Sequence, residues 1–365
     1  MLHLFYAGFQ TPKGRLVKCD NDPKSLRIES LQLNEAFAKY TFLKRRSQEI
    51  AVGKLIGREI GHFKPDVVIS SNAPLDTQRQ IMQAAKAIDA KFIFWVQDIY
   101  SHAISKVLKR KIPVLGNFVG LFYRWLEAKM INESDHTVLI SADFEPAVRA
   151  LAGPKTPTTV IENWAPLEEI RPFQRDNDWA IANLQPARFR FIYSGTIGFK
   201  HNPDLLISLA ESVEADVVVF SEGEAADYLK KEAEIRHLSN LKVSGWLPFE
   251  DLPKALASAD ALLVILEPEA GIYSVPSKTL TYMCVGRPIL GAIASENLAA
   301  RLIDREAMGF TVRPDDVQGF VNKANDMVRS SDLVADMGSN ARAYAEKTFD
   351  IESIATRFER IISSL

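Results

Sequence analysis

Two lysines in the second half of this 365-residue chain stand where apolar strand-like runs give way to helical patterns, and their surroundings suit an anion. The stretch 274–290 reads SVPSKTLTYMCVGRPIL and follows a loop after the apolar run 261–266. Pro276 presets the backbone for a helix start, and the Ser277 hydroxyl is placed to cap the first turn. The N–H groups left free in that turn carry the positive end of the helix dipole, so an arriving phosphate meets aligned donors. Lys278 adds a full charge. An ordinary capped helix packed on a sheet has the same pattern. Upstream, residues 193–203 read YSGTIGFKHNP, where Gly195 and Gly198, flanking Thr196, let a backbone approach a bulky anion closely. Lys200 and His201 stand beside them. A glycine pair between strand and helix is often only a turn, but Lys200 and Lys278 follow different strands of one sheet and can converge on one diphosphate.

Further strand ends offer polar groups of other kinds. Residues 221–224 (SEGE) place Glu222 next to Gly223, and 244–248 (SGWLP) place Trp246 next to Gly245. A carboxylate accepting from ribose hydroxyls and a backbone reading a base edge would suit a nucleoside, with Trp246 read as a packing residue rather than a stacking platform. In the first half, WVQDIYSH at 95–102 displays Gln97, Asp98 and His102 as a strand ends. Asp98 could bind or orient a hydroxyl nucleophile, and His102 could do likewise; side-chain capping of the loop is the alternative for each. No GxGxxG follows a strand and no phosphate loop ends in GK[ST], which argues against dinucleotide oxidoreductases and P-loop enzymes. Asp20-Asn21-Asp22 and Asp176-Asn177-Asp178 resemble metal carboxylate pairs, but turn chemistry explains them better, so no metal site is expected.

The elements that must position these residues alternate. Strand-like runs at 2–6, 66–70, 91–96, 137–140 and 158–161, with helical patterns at 30–62 and 116–133, predict a first parallel α/β unit. Runs at 190–193, 216–220, 241–244, 261–266, 288–292 and 310–312 predict a second, doubly wound one. The Pro-, Asp- and Asn-rich stretch 162–186 lacks a clear period and reads as the connection. From 351 to 365 the apolar residues Ile351, Ile354, Phe358, Ile361 and Ile362 form a helical stripe that must bury against something. Two such units are expected to bind ligands at the carboxyl ends of their strands, in a cleft between them.

Composition is that of a globular protein, 47% hydrophobic and 25% charged, and a net charge of −2 gives no general attraction for nucleic acid. Cys19 and Cys284 follow no metal-ligand spacing and suit a reduced compartment. The N-terminal nine residues read as a strand rather than a leader, and no run approaches the roughly 20 apolar residues of a spanning helix, so a cytosolic protein is expected. Lys106, Lys109, Arg110 and Lys111 precede Val114, Leu115, Phe118 and Trp125. Such a basic cluster beside apolar aromatics can rest on an anionic bilayer, or can be the solvated entry of a buried crossover helix.

Together, the two-glycine turn, SEGE, SGWLP and above all VPSKTLTYMCVGRPIL resemble the donor half of a GT-B glycosyltransferase of family four, in the branch that includes colanic-acid and exopolysaccharide glycosyltransferases. FIFWVQDIY and VIENW at 160–164 resemble the first half and hinge of that branch. The resemblance implies GT-B architecture, two Rossmann-like domains facing a cleft: an acceptor-side domain at 1–164, a linker at 165–187, a nucleotide-sugar domain at 188–348 and a C-terminal helix at 349–365 packing back on the first domain. It implies transfer of a sugar from a nucleotide diphosphate to an acceptor hydroxyl, with retention, by a front-face path in which the departing phosphate takes the acceptor proton. Lys200, Lys278 and the helix start at Pro276 and Ser277 would meet the diphosphate without metal or other cofactor. Gly195, Thr196, Gly198, Glu222, Gly223 and Trp246 would hold the donor. Asp98, Gln97 and His102 would face a saccharide or lipid-linked saccharide acceptor, at the inner face of the cell membrane. Two departures stand out: the places of a glutamate pair found in many members hold Tyr273 and Thr281, and an opening strand with its glycine-rich loop is expected to be missing. A non-hydrolysing nucleotide-sugar epimerase and a catalytically silent GT-B partner subunit are the competing readings.

Overall fold

A computed structural model describes residues 1–7, 16–38, 41–102, 104–105, 113–153, 156–186, 188–266 and 276–365, with the backbone alone at 113–115 and 200. The chain divides into two compact units, Met1–Glu162 with Thr356–Leu365, and Asn163–Ala355.

In the first unit, β1 (Leu2–Tyr6) pairs in parallel with β2 (Arg27–Leu31). A separate parallel sheet runs β3 (Val67–Ser71), β4 (Lys91–Val96), β5 (His136–Leu139), β6 (Thr158–Val160). The helical pattern read from residue 30 is corrected here: Ser30 and Leu31 end β2, and the helix is Phe42–Phe63. That helix packs on the helix Leu75–Ala87. They approach closely at Gly53, where a Cβ would lie 2.7 Å from that of Gln80, so only a hydrogen fits. Phe92, Ile93, Val138, Leu139 and Phe144 fill the core. Trp95 meets Phe358 edge-on at 5.0 Å, and Arg357 donates to the Val160 carbonyl, which ties the end of the helix Ile351–Ser363 to this unit.

The second unit is a six-stranded parallel sheet of β7 (Phe189–Ser194), β8 (Ala215–Phe220), β9 (Leu241–Ser244), β10 (Ala261–Ile265), β11 (Ile289–Ala292) and β12 (Gly309–Val312), in the order β12-β11-β10-β7-β8-β9. Because side chains alternate along a strand, Phe191 and Tyr193 join the core on one face while Ile192 joins the core on the other. Every residue of β8 is buried, the mark of a strand covered on both faces. The stretch expected to be an aperiodic connection instead contains a helix, Asp178–Asn183, whose first turn is capped by Asn177 accepting from the Ala180 N–H. Asn177 also donates to the Lys254 carbonyl at 2.9 Å, and Trp179 meets Phe220 at 5.9 Å, so this stretch is part of the second unit. The order of strands reverses between β7 and β10. Open sheets bind ligands outside the carboxyl ends of strands at such a point.

Candidate functional site

Three loops and a helix start gather at the carboxyl end of the second sheet. Gly195 follows β7 with φ at +139°, a backbone that L side chains avoid, and a Cβ added there would lie 2.8 Å from the Lys278 Nζ. The same ammonium sits 3.9 Å from the centre of the Tyr193 ring. Lys278 is the second residue of the helix Ser277–Cys284, which follows β10, so lysine and glycine turn meet at the reversal of strand order. Burial pushes the Lys278 ammonium down to about 8, and no carboxylate among the described residues forms an ion pair with it. A desolvated cation held against a π face is a strong attractor for an anion.

The surrounding hydrogen bonds fix this arrangement. The Tyr282 hydroxyl accepts from the Ser194 N–H at 3.0 Å and lies 3.2 Å from the Ser194 carbonyl, joining the helix of Lys278 to the end of β7. The Tyr193 hydroxyl donates to the Thr196 carbonyl at 2.8 Å. The Ile197 N–H donates to the Ser221 hydroxyl at 3.1 Å, and the Trp246 N–H to Glu222 Oε1 at 3.2 Å. Loops after β7, β8 and β9 are thereby connected in sequence.

Several site expectations change in detail. Ser277 is not the capping residue: Pro276 occupies the cap position with ψ at 125°, and no side chain caps the turn. The backbone of Lys200 lies in the short 3₁₀ helix Phe199–His201, while its side chain lies outside the described residues, as does Tyr273. His201 turns its Nδ1 to the Gly198 N–H at 3.0 Å and so shapes the glycine turn. Gly198 is the residue before that 3₁₀ helix, and Gly223, at φ +102°, precedes the helix Glu224–Ile235. Glu222 is exposed, with one oxygen engaged by Trp246; that indole is 45% exposed, too open for a core residue. Thr281, in one of the two glutamate places, bonds the Ser277 carbonyl of its own helix at 3.4 Å. Of the two Asp-Asn-Asp runs, the first forms a turn in which Asp22 accepts from the Cys19 N–H at 2.7 Å. In the second, Asp178 pairs with Lys254 at 2.7 Å and Asp176 with Arg190 at 3.1 Å. No group of three or more His, Cys, Asp or Glu among the described residues could hold a metal.

The first unit gathers carboxylates at the carboxyl end of β3 and β4. Gln97 and Asp98 lie half-buried after β4, and burial raises the Asp98 carboxyl. His102 is exposed, held below the ordinary imidazole range by partial burial and then by Arg124. The Tyr100 hydroxyl donates to Asn72 Oδ1 at 3.0 Å, bridging the loops after β4 and β3. Sequence reading missed the rest. Asp76 is buried and accepts from the Tyr123 hydroxyl at 2.5 Å and from Arg46 at 3.2 Å. Glu49 is buried beside Arg45 at 2.8 Å, its carboxyl raised by burial. Glu127 is buried on the helix Pro113–Glu133. The signal available for these was a carboxylate on the apolar face of a helix.

The basic residues Lys106, Lys109, Arg110 and Lys111 lie outside the described residues, as do the side chains of Val114 and Leu115. The helix they precede buries Tyr123, Leu126, Met130 and Ile131 but exposes Phe118 at 68%, Leu121 at 62% and Trp125 at 54%. It is therefore not buried all round.

The fold is similar to that of GT-B glycosyltransferases. It superposes on sucrose-phosphate synthase (tll1590) from Thermosynechococcus elongatus with a TM-score of 0.70 over 94% of this chain and 86% of that one, at 13% identity. On Anabaena Alr3699/HepE, solved in complex with UDP, the TM-score is 0.68 over 93% and 86%, at 16% identity. Residues 188–330 match the family described as Glycosyl transferases group 1. In sequence the chain is similar to the probable glycosyltransferase WbjE of Pseudomonas aeruginosa, 25% identical over 69% of this chain and 63% of that protein. It is also similar to Escherichia coli K12 WcaI, named for a colanic acid biosynthesis glycosyl transferase, 27% identical over 54% and 49%. The chain thus matches less than two thirds of the length of either relative.

Proposed function

We propose that this protein is a glycosyltransferase that moves a sugar, with retention, from a nucleoside-diphosphate donor to an acceptor hydroxyl in surface-polysaccharide synthesis. The observation that carries the reading is the Lys278 ammonium against Gly195 at the strand reversal, without a carboxylate partner among the described residues. Breaking the sugar–phosphate bond builds charge on the departing diphosphate, and groups already aimed at that charge lower the barrier most. Lys278 and the free N–H groups at the start of its helix would supply that stabilisation, with Lys200 as a second cation. Gly195, Thr196 and Gly198 would leave room for the phosphates, and Glu222, Gly223 and Trp246 would take ribose and base. The departing phosphate would receive the acceptor proton, with Asp98 orienting the hydroxyl beside Gln97 and His102. No metal step is needed in this scheme. The UDP complex of HepE favours a uridine nucleotide among the donors.

A thermal-shift screen of UDP, GDP and their sugars tests the donor assignment: at least one should raise the unfolding midpoint, and the absence of any shift would sink the reading. Turnover should persist in excess EDTA; complete loss that metal restores would remove the metal-free scheme.

For the acceptor we propose a lipid-linked saccharide at the cytoplasmic face of a membrane. No helix among the described residues is long and apolar enough to cross a membrane, so contact would be peripheral. The exposed Phe118, Leu121 and Trp125 of one helix, preceded by four basic residues, support such contact. Each basic residue near an anionic bilayer contributes roughly 1 kcal/mol. Salt-sensitive sedimentation with anionic liposomes is expected, and should vanish when Lys106, Lys109, Arg110 and Lys111 all become glutamine. Equal sedimentation of the two proteins would remove the segment from this role.

A further inference from the structure

The loop after β4 is held by a side chain from a distant helix. A helical turn begins at Tyr100, and the first N–H groups of any helix lack partners within it. Here the first two are taken by one side chain from a distant helix: the Tyr100 N–H donates to Glu127 Oε1 at 3.0 Å and the Ser101 N–H to Glu127 Oε2 at 3.1 Å. Glu127 is 1% exposed, and neither oxygen reaches an arginine or lysine in an ion pair among the described residues. A buried carboxylate with no cation partner among the described residues is costly, and packing alone would be served as well by a leucine, so its two N–H bonds are what it contributes. The turn it grips carries Asp98 two residues upstream and the Tyr100 ring, whose hydroxyl reaches Asn72.

We infer that Glu127 is the positioning residue of the acceptor loop, clamping the backbone of Tyr100 and Ser101 so that Asp98 and the Tyr100–Asn72 pair keep a fixed geometry toward the acceptor hydroxyl. The inference rests on the glycosyltransferase reading above and adds a group that never touches substrate. Its chemistry gives it a distinctive pH signature. Burial pushes the Glu127 carboxyl up to about 7, against the lowering by its hydrogen bonds, and Asp98 adds to the rise. Protonated, the carboxyl loses its charge and one oxygen becomes an O–H, a weaker acceptor of an N–H, so the clamp is at full strength only above about pH 7. Folding has the opposite preference: the raised carboxyl favours the protonated form, so this group's contribution to stability is lost as pH rises from its unfolded value through about 7. The other charged groups near the turn are Asp98 itself, Glu49 and Arg45 from the helix Phe42–Phe63, and Arg124 beside His102.

The experiment compares wild type with Glu127→Gln, in which an amide N–H₂ faces one of the two backbone donors. With a nucleotide-sugar donor and a saccharide acceptor, kcat/KM for acceptor should fall by about tenfold or more, the change expected for one broken hydrogen bond to a charged group. Nucleoside-diphosphate affinity, read by calorimetry, should stay within about twofold, and the acid limb near pH 7 in the wild-type profile should disappear. Hydrogen exchange supplies a readout that needs no activity: the Tyr100 and Ser101 amides should exchange about tenfold faster in the variant while amides of β4 keep their protection. Unchanged acceptor kinetics and pH profile in a folded variant would overturn the inference, as would unchanged exchange at both amides. If wild type binds no nucleoside diphosphate, the glycosyltransferase reading fails separately, and the exchange experiment still decides whether Glu127 clamps the turn.

Discussion

The two sheet ends carry opposite chemistry. The second unit presents a desolvated ammonium, a half-buried glycine turn and a helix start, with Tyr193 and Tyr282 buried beneath them. The first presents carboxylates: Asp76 tied to Tyr123, Glu127 gripping a backbone turn, and Asp98 half-buried with its carboxyl raised. One end holds a cation without a carboxylate partner among the described residues, and the other holds carboxylates, two of which are engaged within the protein. The contrast shows how one architecture, used twice, is specialised by which residues occupy the same topological places. Under the proposed function, the first kind of end would take an anionic donor and the second a hydroxyl acceptor.

The most direct way to break the contrast is Gly195→Ala. A methyl group at φ +139° is strained by about 1–3 kcal/mol and would also drive the Lys278 ammonium out of its place. Together with the loss of one charge-assisted contact, turnover should fall roughly 100- to 1000-fold. Steady-state kinetics with circular dichroism as a check on folding would settle it, and wild-type turnover would refute the proximity argument.

Next in size, Lys278→Ala should weaken nucleoside-diphosphate binding by about 1.5–3 kcal/mol, roughly 10- to 150-fold, measured by calorimetry. The same residue sets a pH test. Its ammonium is lowered to about 8 in the free protein, so charge is lost as pH rises through that value. Wild-type affinity should therefore decline above about pH 8, whereas the alanine variant, having no charge to lose, should show no such step. The stability sign is separate: because the folded form disfavours the charged lysine, its contribution to stability grows as pH rises from about 8 toward the unfolded value.

The smallest effect sharpens the other side. Asp76→Ala removes the acceptor shared by Tyr123 and Arg46, leaving a buried hydroxyl without its partner. A loss of about 1–3 kcal/mol in urea denaturation is expected, with nucleotide affinity unchanged. A parallel loss of nucleotide affinity would show that the two ends are not independent.

Much of the second unit was legible beforehand. Its strands are short, apolar and β-branched, so β9 falls at 241–244 as read, and β7, β8, β10, β11 and β12 differ by a residue or so at their ends. β2 was not legible: Arg27, Glu29 and Ser30 break the apolar run, and the strand exists because β1 offers it a parallel edge. The capping role given to Ser277 failed by one residue, since Pro276 itself takes the extended backbone of the cap and leaves Ser277 inside the helix. Asn177 shows the limit from the other direction. Its cap on the helix Asp178–Asn183 is local, yet its bond to the Lys254 carbonyl, 77 positions away, is what joins that helix to the sheet unit.

The sequence by itself determined where strands end in glycine, serine or proline, where lysines follow them, and that two parallel α/β units result, because backbone preference and side-chain alternation act over a few residues. Only the tertiary structure decided which of those ends meet. Ser194 and Tyr282 are 88 positions apart and become hydrogen-bonded because β7 and β10 pair as neighbours, a choice made by burying both faces of the sheet at once. Glu127 reads in sequence as one carboxylate in an apolar helix. Its partners lie 27 and 26 residues earlier, and they meet it because that helix packs with Glu127 facing inward, 1% exposed, where its carboxylate needs donors from the protein.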